Sequence, residues 1–161
     1  MGSLQVTYTL CNCKGTNYFD MANIIQNILK DIRVDLTEEF DRNFERKSFF
    51  SGKRWAPVKK PVSRGSLLNR TGAMRSSIKS KVQGDSIVFS SSKPYTGIHN
   101  DGGEIKRTSK KGKGYTIKMP QRQFIGNAPE VNRIIQENIG ESLPEFINEY
   151  LQQQFNNSNN G

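Results

Sequence analysis

DMANIIQNILKDIRVDLTEEFDRNF, the stretch from Asp20 to Phe44, decides the fold. Met21, Ile24, Ile25, Ile28, Ile32, Leu36, Phe40 and Phe44 recur at three- and four-residue intervals, which places them on one apolar stripe of a long α-helix. The opposite face carries Lys30, Arg33, Asp35, Glu38, Glu39, Arg42 and Arg46, the mixed signs expected of a face in water. Asp20 stands where an N-cap carboxylate would accept from the first free N–H groups, and helical order is expected to fade by Ser51-Gly52.

Upstream, Leu4 to Leu10 alternates Leu4, Val6, Tyr8 and Leu10 with polar residues, the pattern of a half-buried strand, and Cys11 to Asn17 reads as a turn. Cys11 and Cys13 are too close for an ordinary intramolecular disulfide and two ligands short of a usual zinc site, so they read as reduced thiols. Downstream, residues 52 to 66 contain Pro57, Pro61 and Gly65, an extended connector that Trp55 is expected to anchor by burying its ring.

Short strands follow. Met74, Ile78 and Val82 alternate with Arg75, Lys79 and Lys81, and Gln83-Gly84-Asp85 turns into Ser86 to Ser90, a hairpin with one cationic face. Tyr95 to His99 and Tyr115 to Met119 continue the strand pattern. Between them, residues 104 to 114 offer only Ile105 for burial, which predicts a mobile basic loop. Asn127 and Glu130 have the spacing of a capping box ahead of Val131, Ile134, Ile135 and Ile139. Gly140 and Pro144 predict a kink or restart before Phe146, Ile147, Tyr150 and Leu151. The sum is an α+β fold: a small antiparallel sheet of four or five strands, a long N-terminal helix and a C-terminal helix kinked or restarted near Gly140. The chain of 161 residues suits one domain over residues 1–155, with Asn156 to Gly161 as a disordered tail.

Charge divides the chain unevenly. The formal net charge is +9, yet residues 53–122 hold 17 lysines and arginines against Asp85, Asp101 and Glu104, while residues 123–161 hold only Arg133 against five glutamates. A basic surface of this size attracts phosphate or an acidic protein. Tyr95 and Tyr115 are the only tyrosines in that region, thin support for base stacking. No stretch approaches the roughly 18 apolar residues of a membrane span, and no signal peptide is expected.

Catalytic chemistry is not evident. His99, the single histidine, has no cysteine or second histidine near it in sequence and reads as a hydrogen-bonded structural residue; Asp101 and Glu104 flank glycines as turn residues do. Gly112 and Gly114 precede a strand, whereas a phosphate cradle places glycines between strand and helix. No catalytic residue, metal ligand or cofactor is assigned. The lysine-rich segment reads equally as a phosphate contact and as a solvated hairpin tip.

Three phrases carry a resemblance. Gly52-Lys-Arg-Trp55-Ala-Pro57 leads into Leu68, Thr71-Gly72, Met74 and Ile78; Tyr95, Ile98-His99 and Gly102-Gly103 follow; Pro120, Arg122, Phe124 and Gly126 close the series. Over roughly Phe49 to Ile139 the chain resembles the phage virion morphogenesis, or tail-completion, family. The resemblance implies a structural protein of the virion tail or neck, made in the host cytoplasm, that completes the tail and joins it to the head. It further implies a homo-oligomeric ring, by tail symmetry a hexamer, with tail-tube and neck or connector proteins as partners, loose contact with packaged DNA and no membrane. Lys106, Arg107, Lys110, Lys111 and Lys113 would then face DNA or an acidic partner. Trp55, Tyr95, His99 and Phe124 would be structural anchors, Gly72, Gly102 and Gly103 would make tight turns, and Arg122 would bind a buried carbonyl or an interface carboxylate, unless it is a plain surface charge. The competing class is a basic nucleic-acid-binding module; a nuclease is a third.

Overall fold

A computed structural model of the chain describes residues 5–9, 18–58 and 65–159. Its elements are β1 (Gln5–Thr9), α1 (Tyr18–Arg46), β2 (Ile78–Gln83), β3 (Ser86–Ser91), α2 (Thr96–Asp101), β4 (Gly103–Thr108), β5 (Gly114–Met119) and α3 (Pro129–Asn159). The class is α+β. The strands do not form the one sheet expected from sequence. β1, β3 and β2 make an antiparallel sheet in that order, and β4 and β5 make a separate two-stranded ribbon.

The apolar stripe of α1 is the centre of the core. Ile28, Leu29, Ile32, Leu36, Phe40 and Phe44 are buried against Ile87 and Phe89 of β3, Phe124 and Ile125, and Val131 and Ile134 of α3. Leu29, absent from the stripe read above, widens it enough for α1 to touch β2 and β3 as well as α3. Ser51, just past α1, donates to Glu130 at the start of α3 (2.9 Å), and Asn138 donates to Asp35 further back along α1 (2.7 Å). The two long helices therefore run antiparallel. Phe40 is the aromatic hub, with ring centroids 5.2 Å from Phe89, 6.1 Å from Phe50 and 6.5 Å from Phe49.

The hairpin forms around Gly84-Asp85, with Gln83 opposite Ser86 and Ile78 opposite Ser91. β3 lies in the middle, and the β1 register sets Val6 opposite Phe89 and Tyr8 opposite Ile87. Met74 and Arg75, expected in this hairpin, instead precede it: Arg75–Ser77 is a 3₁₀ turn. The Ser77 hydroxyl donates to the Met74 carbonyl at 2.7 Å and favours the turn over the strand. Arg75 reaches back to Asp41 and, at 2.8 Å, Glu45, tying the turn to α1.

Several other boundaries differ from expectation. α1 starts at Tyr18, so Asp20 is its third residue and not its cap; no glycine or proline separates Asn17 from Asp20 to stop the helix extending backward. The turn expected at Cys11 to Asn17 lies outside the described residues, as do Leu4 and Leu10 at the ends of the first strand. Tyr95 to His99 is not a strand, because the residues buried beneath it are Thr96 and Asn100, polar and four apart, which makes Thr96–Asp101 the helix α2. The capping box at Asn127 is not formed. Pro129 fixes the first helical position and leaves Ala128, whose carbonyl accepts from Val131, as the capping residue, while Glu130 turns to Ser51.

α3 runs as α-helix through Gly140 and Pro144 without the interruption expected there. Pro144 lacks the N–H that would bond the carbonyl of residue 140, and a glycine at 140 gives the backbone freedom to tilt that carbonyl away from the ring. The helix also continues to Asn159, past the start of the expected tail at Asn156; no glycine or proline stands between Leu151 and Asn159 to end it. The segment read as a mobile loop over 104–114 is mostly ribbon. Ile105 pairs with Ile117 and Arg107 with Tyr115, and only 109–113 turn.

Replacing Phe40 by Ala empties the hub and is expected to cost about 3–5 kcal/mol, read as a lowered denaturation midpoint with little change of slope.

Candidate functional site

The described residues concentrate their buried polar chemistry around one extended segment, 121–125, which follows β5 and belongs to neither sheet. An irregular buried strand leaves its peptide groups to be satisfied one by one. Here side chains do most of it. The Trp55 indole N–H donates to the Gln123 carbonyl at 2.8 Å. The Asn43 amide donates to the Phe124 carbonyl at 3.1 Å, and its oxygen accepts from the Phe50 N–H at 2.8 Å. The Asn100 oxygen accepts from both Phe124 N–H (2.9 Å) and Ile125 N–H (3.1 Å), while its own NH₂ donates to Asp101. The Arg122 N–H donates to the His99 carbonyl at 2.9 Å.

Arg122 is buried and its guanidinium runs the other way, donating through Nε to the Ala56 carbonyl at 2.9 Å and through Nη2 to the Pro57 carbonyl at 3.4 Å. It ties the connector after Trp55 to the extended segment. Phe124 is fully buried, its ring centroid 4.8 Å from that of Phe44, and Trp55 meets Phe44 edge-on at 5.8 Å. Gly102 lets the chain leave α2: its φ is +75°, and a Cβ there would lie 2.8 Å from the Gln121 nitrogen. Gly103 begins β4 beside Ile98, and Gly72 offers its carbonyl to Ser76 in the turn before β2.

His99 is half-buried beside this clamp. Burial, and then the positive charge of Arg122, hold its imidazole below the ordinary value of 6.5, so the neutral ring is favoured. Its Nδ1 is buried with no hydrogen-bond partner among the described residues, so the contact with the clamp runs through its backbone carbonyl and not through the ring. Tyr95, read as a structural anchor, is 41% exposed and meets His99 edge-on at 6.2 Å.

The structure thus brings Trp55, His99, Gly102, Arg122 and Phe124 into one assembly, leaves Tyr95 at its rim and sets Gly72 apart. Sequence reasoning missed Asn43 and Asn100, whose only signal was an amide at a position with the helical spacing of its buried neighbours: Asn43 beside Phe40 and Phe44, and Asn100 four residues after Thr96. It also missed the hydroxyl chain of Ser77, Ser91 and Thr96, linked at 2.8 and 2.7 Å.

The basic residues lie elsewhere. Lys106 and Arg107 are on β4, Lys110 and Lys111 in the turn, and Lys113 just before β5, all exposed. One face of the ribbon collects Ile105, Ile117, Tyr115 and Arg107, with Tyr115 50% and Ile117 38% exposed; the other pairs Glu104 with Lys118 at 3.7 Å. An open groove of about 280 Å³ separates the ribbon base from α2, lined by Pro94, Ile98, Asp101, Glu104 and Ile105. Among the described residues, no group of three or more His, Cys, Asp or Glu could hold a metal ion, and no helix is long and apolar enough to cross a membrane.

These features define an α+β domain whose buried polar groups hold a backbone in place and whose charge stands out on a projecting ribbon. The chain belongs to the phage virion morphogenesis family, whose model matches residues 20–144. The match takes in nearly all of α1, well before the Phe49 at which the resemblance of short phrases began. The family implies a structural or assembly role in a phage particle. No curated protein matches the chain, and no solved structure does.

Two outcomes test the clamp. Asn100→Ala strands the N–H groups of Phe124 and Ile125 and is expected to lower stability by about 2–4 kcal/mol, whereas Lys110→Ala stays within about 0.5 kcal/mol in the same denaturation assay. Because His99 is harder to protonate folded than unfolded, the unfolded chain takes up the proton first as pH falls. The stability this group contributes is complete above about pH 6.5 and declines below it; His99→Gln is expected to flatten stability between about pH 6.5 and 5 relative to wild type.

Proposed function

We propose that this protein completes the tail of a phage particle at its head-proximal end or neck and joins it to the head, working as a cyclic homo-oligomer. The family match supports an assembly role. The observation that carries the finer reading is the β4–β5 ribbon, a projecting element with an uncovered apolar face and lysines at its tip. A free-standing monomer gains nothing from exposing Tyr115 and Ile117, whereas a subunit covers such a face when it meets its neighbours. In this reading the clamp keeps the ribbon base fixed, since Gly102 and the segment after β5 are the two ends from which the ribbon projects. Tail-tube and neck proteins are the other partners, and Lys110, Lys111 and Lys113 face packaged DNA or an acidic surface in the joint.

The basic tip also favours a second reading, a nucleic-acid-binding module. Tight monomeric DNA binding that falls steeply with salt would support that module; weak binding would support assembly.

Particles produced without this protein are expected to appear in the electron microscope as unjoined heads and tails. Lys110→Glu, Lys111→Glu and Lys113→Glu combined are expected to keep the melting temperature and lose joined particles. Normal infectious particles in the absence of the chain would refute the role.

A further inference from the structure

The ribbon has a counterpart on the same chain. From Gly103 to Met119 it carries six lysines and arginines and one glutamate; α3 carries five glutamates and one arginine. At about 100° per residue, Glu130, Glu137 and Glu141 fall on one ridge of α3, and in its second half Leu143 and Ile147, four apart, form a strip about a third of a turn round from that ridge. Glu137 and Glu141 are exposed, as are Leu143 (41%) and Ile147 (50%). The first half of α3 is engaged with the core through Val131 and Ile134, and Glu130 with Ser51, so the acidic and apolar surface from Glu137 to Ile147 is the part turned outward. Among the described residues no ion pair links ribbon to α3; the ribbon's one ion pair is internal, Lys118 with Glu104, and Arg133 meets Glu137 within α3.

We propose that the ribbon of one copy seats on the second half of α3 in another copy. Ile105, Tyr115 and Ile117 cover Leu143 and Ile147, while Arg107 and the tip lysines meet Glu137 and Glu141. Charge complementarity selects this occupant: each surface is apolar with a rim of one sign, and the signs are opposite. The two patches are different, so the contact is head-to-tail, and repetition closes a ring if the rotation per subunit permits. The inference rests on the assembly reading and names the contact within it.

The test uses the full chain and two exchanged surfaces, measured by light scattering after size exclusion. The ribbon variant is Lys110→Glu with Lys111→Glu and Lys113→Glu; the helix variant is Glu137→Lys with Glu141→Lys. Every substituted position is exposed, and unchanged circular dichroism checks that each variant folds. The wild type is expected to self-associate, less so as salt rises. Each variant alone is expected to associate at least about tenfold more weakly, and an equimolar mixture to regain wild-type assembly, since every contact between unlike copies again joins opposite charges. A wild type that stays monomeric at its highest soluble concentration overturns the proposal. So does a variant that assembles like wild type, or a mixture that stays apart. Failure here with unjoined heads and tails still seen in particles lacking the chain removes this contact and leaves the assembly role standing. Restored mixed assembly with normal particles does the reverse.

Discussion

The side-chain amide of Asn43 bridges two segments far apart along the chain. One end of it holds the Phe50 N–H just after α1, and the other holds the Phe124 carbonyl 81 positions along the chain. Both bonds are out of water, where an unmet peptide group costs about 1–3 kcal/mol, so the amide couples the position of the helix end to that of the extended segment. Asn100 repeats the device from α2 and Trp55 from the connector, while Arg122 reaches from the extended segment back to the connector. The result is an extended, largely buried segment held mostly by side chains, in a position that ladder pairing within a sheet would not have given it.

This arrangement explains the division of labour in the fold. The sheet and the two long helices supply apolar area, centred on Phe40 and Phe44. The clamp supplies position, because most of its bonds join parts of the chain far apart in sequence. What projects from the clamp, the ribbon, is nearly bare of contacts with the body, and its charge is opposite in sign to that of α3.

The long helix, the hairpin at Gly84-Asp85 and the helical end were legible because their apolar residues follow one period each. The family was legible from short phrases around Trp55, Gly102 and Phe124. The errors share a cause. Thr96 and Asn100 are buried polar residues, so a search for apolar periodicity passed over α2 and saw a strand. The first strand of the ribbon looked like a loop because its pairing buries almost nothing and leaves only a faint alternation at Ile105 and Arg107. The clamp could not be read in advance, because the partner of an amide 24 or 81 residues distant is a property of the folded chain.

β2 is an outer strand of the three-stranded sheet, with its far edge unpaired among the described elements. Lys79 and Lys81 stand exposed along it. Two like charges two residues apart make a poor template for another chain's strand, since ordering them against a flat neighbour strips both of water. That edge of the sheet is thereby protected from chance edge-to-edge stacking at high local concentration.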